Sequence, residues 1–489
     1  MLAAAGHGVF TGGEPLSDQG RLSAGDFSAI FQQNWQAFFR WSNVDRVYLG
    51  VWTGLQAASR WLGVAVALME RRAAALVLVL AAVVLAAAKW LRPGEYAWKA
   101  YAGKWELAAP IAIPTHVPAP LVAACVVASV ALIVAALSQK HWRRFVPLMV
   151  LAGAFTTAGL MVADPRMRIG LLELGAFASV GLIWQSARSR TAKFTYLAVV
   201  ALSAFAAASE LISSDPFWIW AFLLTGVCIK LAAIPFLFWL LLLADEVPAL
   251  VLGLIIAVVD MAAFGEFFVT SWCLPDHAGF APSALLLSVA AVTSLIAALL
   301  MLSQRSLKRL LVLSTIEDVG FLLFGVFSLK TLGYNGATIA ASTHALAKAL
   351  LFACLSAPEG DGALNDESVG LARRYPISAF GFLFGMLAML GVPPTLGYIG
   401  RWRLYETALQ ISPYLLAAFI LSSIFALIAY VLALTRNWWG PEREGIPLAE
   451  SAGAREPIAL RGTIVVLVVL LLVAGLWPHG LRILEQVTR

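Results

Sequence analysis

Long apolar runs follow one another along almost the whole chain, separated by short polar segments. Thirteen of them reach about 18 residues, the length with which a helix begins to span the hydrocarbon core of a bilayer. The predicted spans are 73–91, 117–137, 144–163, 169–187, 193–212, 217–243, 249–271, 283–303, 307–329, 334–356, 376–400, 413–436 and 461–479. Each run is continuously apolar, which excludes the alternating strands of a membrane barrel. The pattern predicts an all-α polytopic membrane protein with about 13–14 transmembrane helices.

The first 72 residues, an N-terminal arm, have a different pattern. In the segment FQQNWQAFFRW, aromatic side chains share one helical face and polar ones the other, which is typical of a helix lying in the membrane interface. The aromatic face carries Phe31, Trp35, Phe38 and Phe39, and the polar face carries Gln32, Gln36 and Arg40. The stretch 47–69 is apolar but contains Gln56 and Arg60, so it predicts a second interfacial or lateral helix, with a fourteenth span as the alternative. No signal peptide precedes the arm, which could also serve only to dock a neighbouring subunit.

Composition and loop charge agree with the hydropathy pattern. Hydrophobic residues make up 61% of the chain, charged residues 13%, and the mean hydropathy is +0.84, values that exclude a water-soluble protein of 489 residues. Lysine and arginine concentrate in segments 69–72, 139–144, 188–193 and 304–309, which lie on one side if the spans alternate from residue 73. That side is predicted to be cytoplasmic, with the C-terminus outside, in a multi-pass protein of the inner (cytoplasmic) membrane. These loops account for the net charge of +6, so no nucleic-acid partner is predicted.

The sequence contains no motif for a cofactor. The four cysteines stand singly and the six histidines lack ligand spacing, so neither disulfides nor a metal site are indicated. No glycine-rich phosphate loop and no cysteine cluster for an iron–sulfur centre are present. We therefore predict no self-contained catalytic site, and any energy must come from a partner or from an existing gradient.

Ionisable residues lie inside several predicted spans, where each costs about 2.5–3.5 kcal/mol and is usually paired and functional. They are Glu173, Lys230, Asp260, His344, Lys348 and Arg401. Lys230 is about 20 Å into its span, close to the middle of the bilayer. A lysine suits proton relay because desolvation lowers its pKa and a nearby carboxylate raises it, so Glu173 and Lys230 are predicted to work as a pair. The alternative for any one residue is an interhelical salt bridge or a snorkelling side chain.

Prolines interrupt two of the spans. Pro235 follows Lys230 by five residues, and Pro393 and Pro394 precede Arg401, about 160 residues farther along. Broken helices at corresponding positions indicate an internal repeat and the ion path of a transporter, because freed backbone groups are tolerated only beside protein or water. The alternative is a pair of proline kinks that serve packing.

Six segments resemble the proton-translocating, antiporter-like subunits of respiratory complex I, membrane-bound hydrogenases and multisubunit cation/proton antiporters. GVCIKLAAIPFLFW is similar to the lysine-bearing broken helix of that family, and LLELGAFASVGLIW with ARSRTAKFTYL is similar to its glutamate helix and basic loop. SQRSLKRLLVLSTIEDVGFLLFGV and STHALAKALLFACLSA resemble the paired helices of the second half, and GVPPTLGYIGRW resembles the second broken helix. The resemblance covers roughly residues 117–480.

The resemblance implies two inverted five-helix repeats, 144–271 and 283–436, each with a half-channel. Residues 73–143 would be peripheral helices and 461–489 a final helix and tail. By matching motif, Glu173 and Lys230 would form the controlling pair, Lys348 the central relay and Arg401 the outlet, with His344 hydrogen-bonding along the axis.

Three positions depart from the family pattern. Asp260 replaces a common lysine, and the sequence leaves open whether it pairs with Lys230 or Lys348. Arg401 replaces a lysine or glutamate; arginine does not deprotonate, so it is expected to gate or to pair with Glu406. The segment FLFWLLLLADE lacks the usual histidine.

The predicted function is that of a proton-translocating membrane subunit in a multisubunit energy-converting complex, with other membrane subunits and the bilayer as partners and H⁺ preferred over Na⁺ as the ion. One alternative is a proton-driven subunit of an inorganic-carbon uptake assembly, and another is a transport-inactive structural subunit. A stand-alone transporter for an organic substrate would need polar groups shaped to a ligand, whereas the sequence shows a line of charges.

Overall fold

The computed structural model describes residues 44–70, 117–139, 142–162, 164–212, 216–273, 284–365, 368–440 and 456–477. The regular elements in these ranges are all helices, which confirms the all-α prediction. Ten of the described helices are long and apolar enough to cross a membrane. The predicted span 73–91 and the predicted interfacial helix around Phe31 lie outside the described residues.

We number the helices in chain order. They are α1 (Val44–Glu70), α2 (Ala119–Leu137), α3 (Trp142–Met161), α4 (Pro165–Ser186), α5 (Arg190–Ile212), α6 (Pro216–Lys230), α7 (Phe238–Glu246), α8 (Ala249–Leu254), α9 (Asp260–Cys273), α10 (Ala284–Met301), α11 (Leu307–Phe327), α12 (Thr331–Gly360), α13 (Leu371–Arg374), α14 (Pro376–Met389), α15 (Leu396–Ile411), α16 (Pro413–Ala433) and α17 (Ile458–Leu476). Two π-helical turns, Ile255–Val259 and Leu434–Trp438, join α8 to α9 and extend α16.

Helix α1 is a continuous helix of 27 residues that contains the predicted stretch 47–69. It is not among the helices apolar enough to be candidate spans. Its placement in the membrane interface stays a prediction.

The helices from α3 to α9 and from α10 to α16 follow the same order. Each set has three continuous helices, then a broken helix, then a helix that contains a π-helical turn. The broken helix is α6 with α7 in the first set and α14 with α15 in the second. The sets cover 142–273 and 284–438, close to the predicted 144–271 and 283–436. The inverted relation between them stays a prediction.

Both interruptions lie at the predicted prolines. Helix α6 ends at Lys230 and α7 begins at Phe238, with Pro235 between them; the second break lies between Met389 and Leu396. Proline has no N–H and clashes with the preceding turn, so neither helix continues through it. A backbone carbonyl next to the first break is hydrogen-bonded by a side chain: the indole N–H of Trp239 donates to the carbonyl of Ile229 over 2.8 Å. This meets the requirement that irregular backbone at membrane depth be enclosed by protein.

Helix α12 lies at the centre of the bundle. Its 30 residues would extend about 45 Å, and it contacts α2, α8, α11, α14, α15 and α17. Helices α11 and α12 are buried throughout the most apolar 18 residues of their candidate spans, as expected for helices enclosed by others. Helices α16 and α17 are mostly unburied, so they lie at the periphery.

Two connections rich in lysine and arginine, 187–193 and 302–309, lie at one end of the bundle, which we call the basic end. The acidic connections 245–249 and 359–365 lie beside them and bond to them. Contacts among them hold the two sets of helices together. The Lys308 ammonium lies 2.8 Å from a carboxylate oxygen of Glu359, and the other oxygen accepts the backbone N–H of Ala249 over 2.6 Å. The final residues of α3, α5, α9 and α11 lie at the other end, which we call the opposite end.

We expect Gly397→Ala to lower the free energy of unfolding by about 1–3 kcal/mol, the usual cost of overpacking. A Cβ at Gly397 would lie 1.9 Å from the carbonyl oxygen of Ala388, so the two halves of the second broken helix would have to separate. Gly462→Ala is the control, because a Cβ there meets nothing within 4 Å. Thermal unfolding of the detergent-solubilised protein measures both. Equal stability of the two variants would contradict the close approach.

Candidate functional site: two buried charge clusters

The first cluster contains the predicted Glu173–Lys230 pair. Glu173 lies in the first half of α4, and Lys230 is the last residue of α6. The Lys230 Nζ lies 3.6 Å from Glu173 Oε1, and the lysine side chain is only 4% exposed. The break after Lys230 places the ammonium at a helix C-terminus, where the backbone carbonyls favour a positive charge. The broken helix therefore helps to stabilise a cation at membrane depth.

Asp260 is the first residue of α9, directly after the π-helical turn of residues 255–259. It is buried, and neither of its carboxylate oxygens has a hydrogen-bond partner among the described residues. Lys230 is near enough for its charge to attract the carboxylate, although the two groups form no ion pair. The pairing of Asp260 with Lys230 or with Lys348 stays a prediction.

A second ion pair of the first half was not predicted from the sequence. Arg168 of α4 and Glu266 of α9 are both buried; the guanidinium Nη2 donates to Glu266 Oε1 over 3.1 Å, and the Nε donates to Oε2. The two residues are 98 positions apart. Arg168 lies just before its predicted span, 169–187, where a charge is usually solvated. Burial of both partners was therefore not visible in the sequence.

A narrow cavity of about 30 Å³ connects these two ion pairs. Its polar lining consists of Glu173, Lys230, Glu266 and Ser203, and apolar residues of α4, α5, α6 and α9 complete it. A cavity of this size and polarity holds about two water molecules. All of these helices reach the opposite end, and the lining residues lie between that end and the level of Lys230.

The second cluster is organised around Arg401. This residue lies in α15, the second half of the broken helix, and donates from Nη1 and Nη2 to the two oxygens of Glu317, each over 2.9 Å. Nη2 also donates to Asp318 Oδ1 over 2.9 Å. The guanidinium stacks 3.7 Å above the ring of Phe321. Planar, bidentate and stacked contacts of this kind are specific to arginine.

The predicted pairing of Arg401 with Glu406 is wrong. Five residues on a helix turn the side chain by about 500°, so Glu406 points about 140° away from Arg401. Glu406 is exposed, whereas the bonds of Arg401 go to Glu317 and Asp318 of α11. A signal for these two acids was present: they stand next to each other inside the predicted span 307–329, where two charges require a partner.

His344 and Lys348 of α12 complete the second cluster. His344 Nδ1 lies 2.7 Å from Asp318 Oδ2, while its Nε2 is buried without a partner among the described residues. Lys348 donates to the carbonyl of Leu311 over 2.8 Å and to the hydroxyl of Ser314. Ser314 also accepts the hydroxyl of Tyr430 over 2.8 Å. Since Ser314 precedes Asp318 by four residues, this branch lies about 6 Å nearer the basic end.

The two clusters share one arrangement. In each set, an acidic residue on the second helix meets a basic residue on the broken fourth helix: Glu173 meets Lys230, and Glu317 meets Arg401. The π-helical turn before Asp260 packs against α12, which carries His344 and Lys348. Among the described residues, no group of three or more His, Cys, Asp and Glu side chains is arranged as a metal site. The arrangement is suited to moving or holding protons at buried acids and bases.

Residues 170–426, more than half of the chain, match the family model described as NADH:quinone oxidoreductase/Mrp antiporter, transmembrane. The chain belongs to this family. The matched region contains every residue of the two clusters except Arg168 and Tyr430. The resemblance seen in the broken helices and the glutamate helix is thereby confirmed.

Curated relatives in this family carry the name NADH-quinone oxidoreductase subunit N. The protein from Saccharopolyspora erythraea is 27% identical over 334 residues, which cover 67% of this chain and 63% of the relative. Subunit N 2 from Acidobacterium capsulatum is 30% identical over 270 residues, which cover 52% and 53%. The matches thus span between about half and two thirds of these relatives.

Solved structures show the same fold. A chain of the Mrp complex from Dietzia sp. DQ12-45-1b superposes with a TM-score of 0.64 at 19% identity, covering 88% of this chain and 94% of the other. A chain of respiratory complex I from Thermus thermophilus superposes with a TM-score of 0.58 at 22% identity, covering 87% and 97%. At these identities the likeness concerns the fold, and it extends over almost the whole of each solved chain.

Proposed function

We propose that this protein is a proton-translocating membrane subunit of a multisubunit energy-converting complex. The observation that carries the proposal is the presence, in each half of the bundle, of a buried acid–base pair at the break of a helix. Such pairs are costly in a membrane and serve ion transfer far more often than stability. The curated relatives are named as subunits of an oxidoreductase, which supports other membrane subunits as partners.

The proton path runs along Glu173, Lys230, Asp260, His344 and Lys348. Lysine, histidine and carboxylate side chains can each take up and release a proton, so they serve as stations. Arg401 keeps its charge, and its role is to hold Glu317 and Asp318 in place as a fixed counter-charge. H⁺ is preferred over Na⁺ because Glu173, Glu317 and Asp318 bind protein cations. The remaining carboxylate, that of Asp260, does not by itself form a cage of oxygen ligands for a metal cation.

Orientation and membrane follow from the loop charges. The basic end faces the cytoplasm, because lysine and arginine are enriched in cytoplasmic loops, and the membrane is then the inner (cytoplasmic) membrane of the cell. Under this orientation the cavity beside Lys230 lies toward the outside, and the Lys348–Ser314–Tyr430 branch lies toward the cytoplasm.

A second candidate function is that of a structural subunit without transport. The two carboxylates bound by Arg401 favour it, since a guanidinium held by both Glu317 and Asp318 cannot pass a proton. Proton flux tests this directly, because the two candidates make opposite predictions for Lys348→Met.

We expect Lys348→Met to lower proton flux by about tenfold. This is less than the rate enhancement that one positioned acid or base usually provides, because His344 lies one turn away and keeps part of the proton path intact. Flux is measured with a pH-sensitive dye in proteoliposomes that contain the purified native assembly. Lys330→Met is the control, since Lys330 lies at the opposite end and bonds Gln410. Unchanged flux in Lys348→Met, with the assembly intact, would leave the structural subunit as the function.

A further inference from the structure

Arg168 and Glu266 lie between the Glu173–Lys230 pair and the opposite end of the bundle. Counted along α4, Arg168 is about 5 Å from the start of the helix and Glu173 about 12 Å. Counted along α9, Glu266 is about 10 Å from the final residue, Cys273. The Arg168–Glu266 pair therefore lies at the depth through which a proton would have to pass between Glu173 and the water at that end.

The cavity supplies the second observation. Its lining contains Glu266 of the one ion pair, Glu173 and Lys230 of the other, and Ser203. With room for about two water molecules, it can place a short hydrogen-bonded chain between the two carboxylates. Without Glu266 the cavity would end against apolar side chains such as Phe267 and Ile169.

Burial of the pair closes the passage in this structure. Arg168 and Glu266 are each less than 5% exposed, so the carboxylate meets the guanidinium and does not meet bulk water. Removing one partner of a buried pair costs about 3–5 kcal/mol, whereas neutralising both at once leaves no uncompensated charge. Protonation of Glu266 neutralises only the acid, so it separates the pair when water from the opposite end solvates the Arg168 guanidinium and the acid turns toward the cavity.

We propose that Arg168 and Glu266 form a proton gate for the first half of the subunit, opening toward the end opposite the basic loops. In the inward direction, the pair opens so that water from that end reaches both side chains. A hydronium ion there gives its proton to the Glu266 carboxylate, and the water that remains solvates the Arg168 guanidinium. The protonated Glu266 turns to the cavity and passes the proton through the water there to the Glu173 carboxylate. Glu266, again anionic, then returns to Arg168. The same steps run in reverse for release. The proposal rests on the proposed function, and it adds the residues and the side by which protons reach Lys230.

Hydration of the cavity is tested without reference to transport. X-ray hydroxyl-radical footprinting modifies side chains beside bound water, and Phe267 lines the cavity whereas Phe264, one turn away on the same helix, is buried and does not line it. We expect modification of Phe267 in the native assembly and none of Phe264. Equal protection of the two rings would show a dry cavity and overturn the gate.

Transport is tested with Glu266→Gln, which keeps the shape of the side chain and removes its ability to carry a proton. We expect proton flux to fall by about tenfold and to recover in Glu266→Asp, which restores a carboxyl group that can carry a proton. The double variant Arg168→Gln/Glu266→Gln removes both charges and preserves folding; its flux is expected to stay low. Normal flux in the double variant would overturn the gate.

The outcomes separate this proposal from the proposed function. If Lys348→Met loses flux and Glu266→Gln does not, the subunit translocates protons and the gate is wrong. If neither variant changes flux, the proposed function fails and the gate fails with it.

Discussion

Arg401→Ala is expected to lower the free energy of unfolding by about 3–5 kcal/mol, the cost of removing one partner of a buried ion pair. Glu317 and Asp318 would keep their buried carboxylates and lose the guanidinium that bonds both. The stacking contact with Phe321 would be lost as well. A loss of this size is a large share of the stability of most proteins, so we expect little folded subunit to accumulate.

Thermal unfolding in detergent, followed by size-exclusion chromatography, measures this loss. Arg403→Ala is the control, because Arg403 lies on the same helix and is only partly buried. Arg401→Lys should fall between the two, since lysine keeps the charge but not the bidentate geometry. Adding Glu317→Gln to Arg401→Ala should restore part of the stability, because one fewer charge is left unpaired. If Arg401→Ala were as stable as Arg403→Ala, the second cluster would not be a buried ion-pair network.

Lys230→Ala is expected to lower proton flux by about 100-fold, the lower end of what a positioned acid or base contributes to proton transfer. Lys230 is paired with Glu173, lines the cavity and acts on Asp260, so it belongs to every connection of the first cluster. Among the described residues, Glu173 forms an ion pair with no lysine or histidine other than Lys230, so no second side chain can replace it. Lys348, in contrast, has His344 one turn away on the same helix. The loss should therefore be larger than that of Lys348→Met.

Proteoliposome flux, at matched amounts of intact assembly, measures the effect. Lys193→Ala is a suitable control, because Lys193 is a basic residue near the basic end and lies over the ring of Trp184. Glu173→Gln should reproduce the loss, since it removes the partner that holds the proton-carrying lysine. Flux in Lys230→Ala equal to that in Lys193→Ala would show that protons bypass the first cluster.

Hydropathy predicted the spans well because length and apolar content alone decide whether a helix crosses a membrane. The predicted span 334–356 forms α12, Thr331–Gly360, and differs mainly at its ends, where polar turns continue the helix. The breaks at Pro235 and Pro394 were also predictable, since proline acts locally. The π-helical turn before Asp260 had no such signal, because it depends on how the helix packs and not on one residue type.

The sequence predicts some of the contacts in the candidate site but not others, because most of them join residues that are far apart in the chain. The Glu173–Lys230 pair is predictable because Lys230 lies near the middle of its span and requires an acidic partner there. Arg168 gives no comparable signal because it lies just outside its predicted span, and without it Glu266 has no evident partner. The adjacent acids Glu317 and Asp318 require a partner, but hydropathy does not identify Arg401 as that partner. Helix geometry alone is enough to exclude Glu406.

The two hydrogen bonds of Glu359 at the basic end have a mechanical consequence. Its carboxylate binds the first N–H of α8 and the ammonium of Lys308, so the last turn of α12 is tied to the start of α8 and to α11. Helix α12 carries Lys348, and α8 leads through the π-helical turn to Asp260. An axial shift or a tilt of one of these helices is therefore transmitted to the other, and the two clusters cannot change their depth independently. Glu359 therefore couples the movement of the two halves of the subunit.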